Sequence, residues 1–357
     1  MLNTYAPTPF GAIPSPRQLA WHLLEFYGFI HFTVNTFTNR EWGLGNEAPA
    51  VFHPSDFSAE QIAETAASGG MKGLILTAKH HDGFCLWPSD FTGHSVKNSA
   101  WKDGKGDVVG DLARACQGQG IKFGVYLSPW DRNHPDYGKP EYVKHYRKQL
   151  RELLTRYGAF FEVWFDGANG GDGYYGGKYE KRTIDARIYY EWEDTITMIR
   201  ELQPEAVIFG GMPGADVRWV GNEGGIAGDP CWHTFNAGMG EDAGIEVLNQ
   251  GVRSGTVWFP AECDVSIRPG WFFHRSENQQ VRDPNNLLDL YFKSVGRGAS
   301  LLLNLPPDRR GQIHSRDVKS LNGLQQNLQR IFSVDLAKSA RASSSNTREN
   351  CIDFAPG

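Results

Sequence analysis

The feature that most constrains this chain is a repeated alternation. Short apolar runs, each long enough for one strand, are separated by segments whose apolar residues recur at helical spacing. That order, strand then helix again and again, predicts parallel βα units rather than a sandwich or a bundle. The strand candidates are Phe26–Val34, Lys72–Thr77, Lys122–Leu127, Phe160–Phe165, Ala206–Phe209, Thr256–Phe259 and Ser300–Leu305, with a weaker one near Val217–Val220. Seven or eight parallel strands fit a (β/α)8 TIM-type barrel of about 250 residues with insertions. Helix signals fall between them. Ser58 and Gln61 form a capping-box pattern, and Gly69-Gly70 would stop that helix. Pro140 opens a helix with Tyr142, Tyr146, Leu150, Leu153 and Tyr157 on one face, ended by Gly158. Ile188, Trp192, Ile196 and Ile199 mark another helix, Asp283-Pro284 opens one, and Val318 to Ile331 forms the last.

The 357 residues are enough for one large barrel with a small appendage. The 36 basic residues are outnumbered by 41 acidic ones with no basic stripe, so a nucleic-acid partner is excluded. No stretch approaches the roughly 20 apolar residues of a membrane span, and the first residues lack a signal-peptide pattern. The compartment is left open; a periplasmic or secreted location would need a leader. Five scattered cysteines, Cys85, Cys116, Cys231, Cys263 and Cys351, give no zinc spacing. After Phe332 the chain turns polar, so residues 1–335 are expected to form the barrel and 336–357 a linker or the start of a truncated C-terminal β domain.

In a barrel, reactive residues project from the C-terminal ends of strands. Four ends carry them here. The first strand ends at His31, with Glu41 and Trp42 in the following loop; the second ends in Lys79-His80-His81-Asp82. The third ends at Tyr126, and the fourth runs Val163-Trp164-Phe165 into Asp166-Gly167. A lone histidine at such an end is as often a structural hydrogen-bonder as a ligand. Asp166 could be a helix N-cap, but the Gly-rich segment that follows it does not read as a helix.

Glycosidic bond cleavage would need a second carboxyl group. The candidates are Asp216, Glu223, Glu262 and Asp264. Glu262 and Asp264 stand near Arg268, which would hold them ionised, so Glu223 in Gly221-Asn222-Glu223-Gly224-Gly225 is preferred as the acid.

The segments FIHF, TNREWG, KHHDGFCLW, GVYLSPWDR, EVWFDG and LLLNLPPDRRG together resemble the α-L-fucosidases of glycoside hydrolase family 29, over residues 25 to 335 or so. The resemblance implies a (β/α)8-like barrel, often followed by a β-sandwich that is expected to be missing from this chain. It implies Asp166 as nucleophile, with His31, His80 and His81 on fucose hydroxyls and Glu41, Trp42, Tyr126 and Trp164 as further pocket positions. The RWVGNEGG and PAECDVSIRPGWFFH segments resemble the subgroup acting on branched α-1,3 and α-1,4 fucosides, which implies Glu223 as acid/base and places Arg268 and Trp271 near the pocket or on its aglycone side. A fucosylated oligosaccharide is then the partner, with no cofactor and no metal. A retaining mechanism would set the two carboxyl groups roughly 5–5.5 Å apart. Two rival readings are a glycan-binding protein without catalysis and a barrel metallohydrolase using His31, His80 and His81.

Overall fold

A computed structural model describes residues 8–238, 240 and 243–341. The tail from 342, with Cys351, lies outside the described residues. The eight barrel strands, labelled here in chain order, are β1 (Phe26–Ile30), β2 (Gly73–Lys79), β3 (Lys122–Leu127), β4 (Glu162–Trp164), β5 (Val207–Phe209), β6 (Arg218–Trp219), β7 (Ala261–Ser266) and β8 (Ser300–Asn304). They form one sheet in the order β5-β4-β3-β2-β1-β8-β7-β6, with parallel neighbours throughout. A parallel bridge between Phe209 and Val217 joins the two edges and closes the barrel. Closure leaves no sheet edge to pair with another chain.

The period of two along each strand sorts side chains between two cores. Tyr27, Phe29, Ile75, Tyr126, Trp164, Phe209 and Leu302 point inward and pack into one aromatic-rich cluster, with Trp21 closing the base. Phe26, Ile30, Leu74, Leu76, Val125, Leu127, Val163, Leu301 and Leu303 point outward into the larger layer beneath the helices. Aromatic rings fill the barrel because they bury a large area each while their polar tips can reach partners.

The helix signals are largely realised. Ser58 caps Ala59–Ser68 by accepting from the Gln61 amide, although the Gln61 side chain turns to Thr65 and Ile313 instead of back to the cap. Pro140 starts the helix Pro140–Arg156, and Asp283 accepts from the amides of Asn285 and Asn286 to start Pro284–Ser294. The helix expected around Ile188 to Ile199 is two helices, Ala186–Tyr189 and Trp192–Leu202, broken where Glu191 takes a φ of 48°.

Two strand expectations are corrected. The first strand ends at Ile30, short of the expected Val34; Thr33 caps a short helix Val34–Thr38 there. The run Thr256–Phe259 is not a barrel strand: Val257–Trp258 pairs antiparallel with Thr234–Phe235 in a small ribbon. The seventh barrel strand is the next segment, Ala261–Ser266, whose polar sequence hides it because Glu262, Asp264 and Ser266 face the barrel interior. Cys85, Cys116, Cys231 and Cys263 are all unpaired.

Candidate active site

The mouth of the barrel holds a small pocket lined by Phe29, His31, Glu41, Trp42, His80, His81, Tyr126, Trp164, Asp166 and Trp271. It gathers residues from β1 to β4 and from the loops after β1 and β7. A much larger cleft, about 750 Å³, lies by the start of the helix Ser315–Ile331 and contains none of the candidate site residues. The candidate chemistry therefore follows the strand ends and not cavity size.

The carboxylate at the pocket is Asp166, delivered by β4 and one-quarter exposed. Its Oδ2 accepts from the Tyr126 hydroxyl at 2.9 Å and its Oδ1 from the Ala168 amide at 2.8 Å. It starts no helix; the chain beyond it runs into a short ribbon, Gly171–Gly173 with Glu180–Arg182. Two donors on opposite oxygens fix the plane of the group.

The histidines are held just as firmly. Lys79 points away from the pocket into the helix layer, where it meets Asp131, Gln149 and Tyr142 and anchors the end of β2. The strand then turns, which brings the adjacent rings of His80 and His81 to 4.2 Å and sets both in the pocket wall. Ser128 donates to the Trp130 carbonyl at 2.7 Å, so its hydroxyl can only accept from His81 Nδ1, also at 2.7 Å. His81 Nδ1 thus carries the proton, and its bare Nε2 lies 3.6 Å from Asp166 Oδ2. The same logic fixes His31. The Asn304 amide nitrogen donates to the Trp271 carbonyl and to Ser266 Oγ, which leaves its oxygen to accept from His31 Nδ1 at 2.9 Å. His31 therefore has an unprotonated Nε2.

Burial pushes all three imidazoles below their ordinary pKa, His31 to about 3 and His80 and His81 in the same direction. Desolvation disfavours the cation, and neighbouring imidazoles add to the effect for His31 and His80. The rings are neutral. An unprotonated Nε2 on His31 and His81 is an acceptor, the complement of a hydroxyl donor. His80 Nδ1 is buried without a hydrogen-bond partner among the described residues.

The other wall is built from loops. Trp271 stands between the pocket and an adjoining cavity of about 280 Å³ that also holds Glu223, Ser266, Arg268, Gln280 and Arg282. Glu223 accepts from Trp271 Nε1 at 3.2 Å and is otherwise exposed. Glu41 holds the Trp271 loop: its two oxygens accept from the amides of Trp271 (2.7 Å) and Phe272 (3.2 Å), and His274 Nε2 lies 2.5 Å from Oε1. Trp42 is half exposed, its ring 5.1 Å from that of His81.

Three expectations need correction. Arg268 does not govern Glu262 or Asp264; its Nε donates to Asp317 at 2.8 Å and its guanidinium lies over the Phe273 ring. Arg268 lies beyond the end of β7 at Ser266, where the chain has left the sheet, and burial raises both Glu262 and Asp264 above the ordinary carboxyl pKa instead of holding them ionised. Arg268 borders the adjoining cavity. Asp216 is engaged elsewhere, by Arg17 and Arg200 where the chain enters β6. In the metal reading, one ligand atom each from His80, His81 and Asp166, not His31, comes within 4.8 Å of the others. One oxygen of that aspartate already accepts the Tyr126 hydroxyl. The residues sequence reasoning missed are Phe29, Ser128, Asn304 and His274. A signal existed for one: Asn304 is a polar residue at the end of an otherwise apolar strand, Ser-Leu-Leu-Leu-Asn.

A closed parallel barrel with neutral histidines, aromatic walls and an oriented carboxylate at its C-terminal mouth has the plan of the barrel enzymes. Comparison with known proteins narrows this. The family model for alpha-L-fucosidase matches residues 21–331. Alpha-L-fucosidase 1 of Arabidopsis thaliana is 46% identical over 98% of this chain and 67% of its own length. The crystal structure of a glycoside hydrolase 29 family member from an unknown rumen bacterium superposes with a TM-score of 0.92 at 50% identity, covering 95% of this chain and 61% of that one. A Ruminococcus gnavus glycoside hydrolase 29 fucosidase in complex with fucose superposes at 0.83 with 33% identity, covering 95% of this chain and 72% of that one. The chain belongs to the α-L-fucosidase family. It spans about two thirds of the length of the curated plant relatives it matches.

Proposed function

We propose that this barrel is the catalytic part of a retaining, exo-acting α-L-fucosidase that removes α-1,3- or α-1,4-linked fucose from branched glycans. The observation that carries the reading is Asp166, aligned by Tyr126 and the Ala168 amide beside two imidazoles whose Nε2 atoms are acceptors. A fucose ring offers hydroxyl donors to those nitrogens and a C5 methyl group to the aromatic walls.

In the proposed reaction an Asp166 oxygen forms a bond to the anomeric carbon as the bond to the glycosidic oxygen breaks. Glu223 passes its proton to that departing oxygen. Water then attacks the fucosyl-aspartate, Glu223 takes the water's proton, and fucose leaves with its configuration retained. Glu223 suits the role because it borders the adjoining cavity, where a leaving sugar would lie, across Trp271 from Asp166. Tyr126 and Glu41 act as positioning residues, the first on Asp166 and the second on the Trp271 loop.

The test is fucose release from a Lewis-type trisaccharide and from an aryl α-L-fucoside, with Asp166→Ala as control. Release from the branched glycan, little from the aryl substrate and none from the variant is the expected pattern. Activity should be indifferent to a chelator; loss on chelation, restored by zinc, would move the assignment to the metal reading. Fucose binding without any turnover would make this a glycan-binding protein.

A further inference from the structure

Beneath the pocket floor the barrel interior holds two carboxyl groups that the proposed chemistry does not use. Glu162 in β4 and Glu262 in β7 are both 0% exposed. Alternation turns both inward, each two residues before another inward residue, Trp164 and Asp264. Glu162 Oε2 accepts from Trp21 Nε1 at 3.0 Å. Glu262 Oε1 accepts from Trp164 Nε1 at 2.8 Å, and its Oε2 accepts a short hydrogen bond from the Tyr27 hydroxyl. Glu162 Oε1 meets no donor among the described residues, and the negative charge of Glu262 opposes its ionisation. Both groups are raised by burial, Glu162 strongly and Glu262 to about 7. Glu262 thus collects two donors, Tyr27 and Trp164.

Above this pair stands Trp164. Its ring lies flat on Phe209 at 4.1 Å and 6°, and its other neighbours include Tyr126, stacked at 5.3 Å and 29°. Tyr126 in turn donates to Asp166. Flat stacking on an apolar ring resists tilting of the indole but says nothing about which edge points down. The hydrogen bond to Glu262 supplies that direction. A barrel filled by two leucines here would avoid the desolvation of two acids.

We propose that Glu262 is a positioning residue that fixes the Trp164 indole as the floor of the fucose pocket and, through Tyr126, the direction of Asp166. The inference rests on the fucosidase reading for its kinetic consequence, but its structural half does not.

The experiment compares Glu262→Leu, which fills the space without an acceptor, with Glu262→Gln, which keeps an oxygen for the indole. The Trp164 indole N–H resonance, assigned by its disappearance in Trp164→Phe, reports the position without any turnover. In the wild type it should exchange slowly with solvent; in Glu262→Leu it should shift and exchange faster, and Glu262→Gln should restore it. Turnover of a fucoside should fall about tenfold or more in the Leu variant, as expected for a small misplacement of reacting groups, and return to within about threefold in the Gln variant. Thermal melting separates a folded variant from a collapsed one. If Glu262→Leu does not fold, the Gln variant and Trp164→Phe decide: the phenylalanine keeps the stack without the hydrogen bond and should also lose about tenfold. An unmoved indole resonance, or full activity in folded Glu262→Leu or Trp164→Phe, would overturn the proposal. A wild type with no turnover would instead sink the fucosidase reading, while the resonance still decides the positioning.

Discussion

The two walls of the pocket are built on different principles. On the wall from β1 to β4, every reactive group but one is fixed by a side chain or amide: His31 by Asn304, His81 by Ser128, Asp166 by Tyr126 and Ala168. On the wall from the loops after β6 and β7, Glu223 has one hydrogen bond at 3.2 Å, and Trp271 depends on Glu41 for its position. The difference matches the demands of the two partners. A single sugar ring has one shape and rewards preorganised acceptors, whereas a leaving glycan is larger and is accommodated by groups that can adjust. The rigid wall is where recognition would reside, and the loop wall is where linkage preference would be set.

The comparison can be broken at either wall. Glu223→Gln should cut turnover of a natural glycan by about 10²–10⁴-fold, the usual contribution of a general acid–base. The loss should shrink for an aryl fucoside whose phenol leaves without help. Equal losses on both substrates would remove Glu223 from the acid role. Asn304→Ala should cost about 10–100-fold in kcat/KM, the range for one buried polar group left without its partner. Its effect should be similar for all fucosides, since it acts through His31 on the shared sugar. Trp271→Ala should instead change the ratio between branched and aryl substrates. If Asn304→Ala alters that ratio and Trp271→Ala does not, the division of labour is reversed.

The smallest expected effect is on stability. His31, His80 and His81 are held neutral by burial, with folded pKa values below that of a free imidazole. A depressed pKa means that their contribution is complete above about 6.5, the value for a free imidazole, and is lost as the pH falls toward the folded values. Melting temperature should therefore drop as the pH is lowered from about 6.5 toward the His31 value of about 3. A folded His31→Gln variant should show a shallower slope. An unchanged slope would mean that His31 is not the buried neutral group described here.

The rigid wall was the legible one. His31, His80, His81 and Asp166 stand at the ends of apolar runs, so strand alternation and the barrel rule point to them directly. Their partners were not legible, because Asn304 lies 273 residues from His31 and the Tyr126–Asp166 bond spans 40. No local pattern encodes such pairs. The seventh strand escaped for a related reason. Its inward residues are acids paired with Tyr27, Trp164 and Trp219 across the barrel, so the run lacks the apolar character by which a buried parallel strand is read. The inference about Arg268 failed because closeness in sequence stood in for closeness in space: Glu262 and Asp264 face the barrel interior, whereas Arg268 pairs with Asp317 in the last helix.

The central claim is that Asp166 becomes covalently bonded to fucose during a retaining reaction. The most direct measurement is mass spectrometry of the protein treated with a slowly turned-over 2-deoxy-2-fluoro-fucosyl substrate, with proton NMR of the first fucose released from an ordinary one. The account predicts a fucosyl adduct on the peptide carrying Asp166 and α-fucose as the first product. No adduct together with β-fucose as the first product would contradict it and make the reaction inverting.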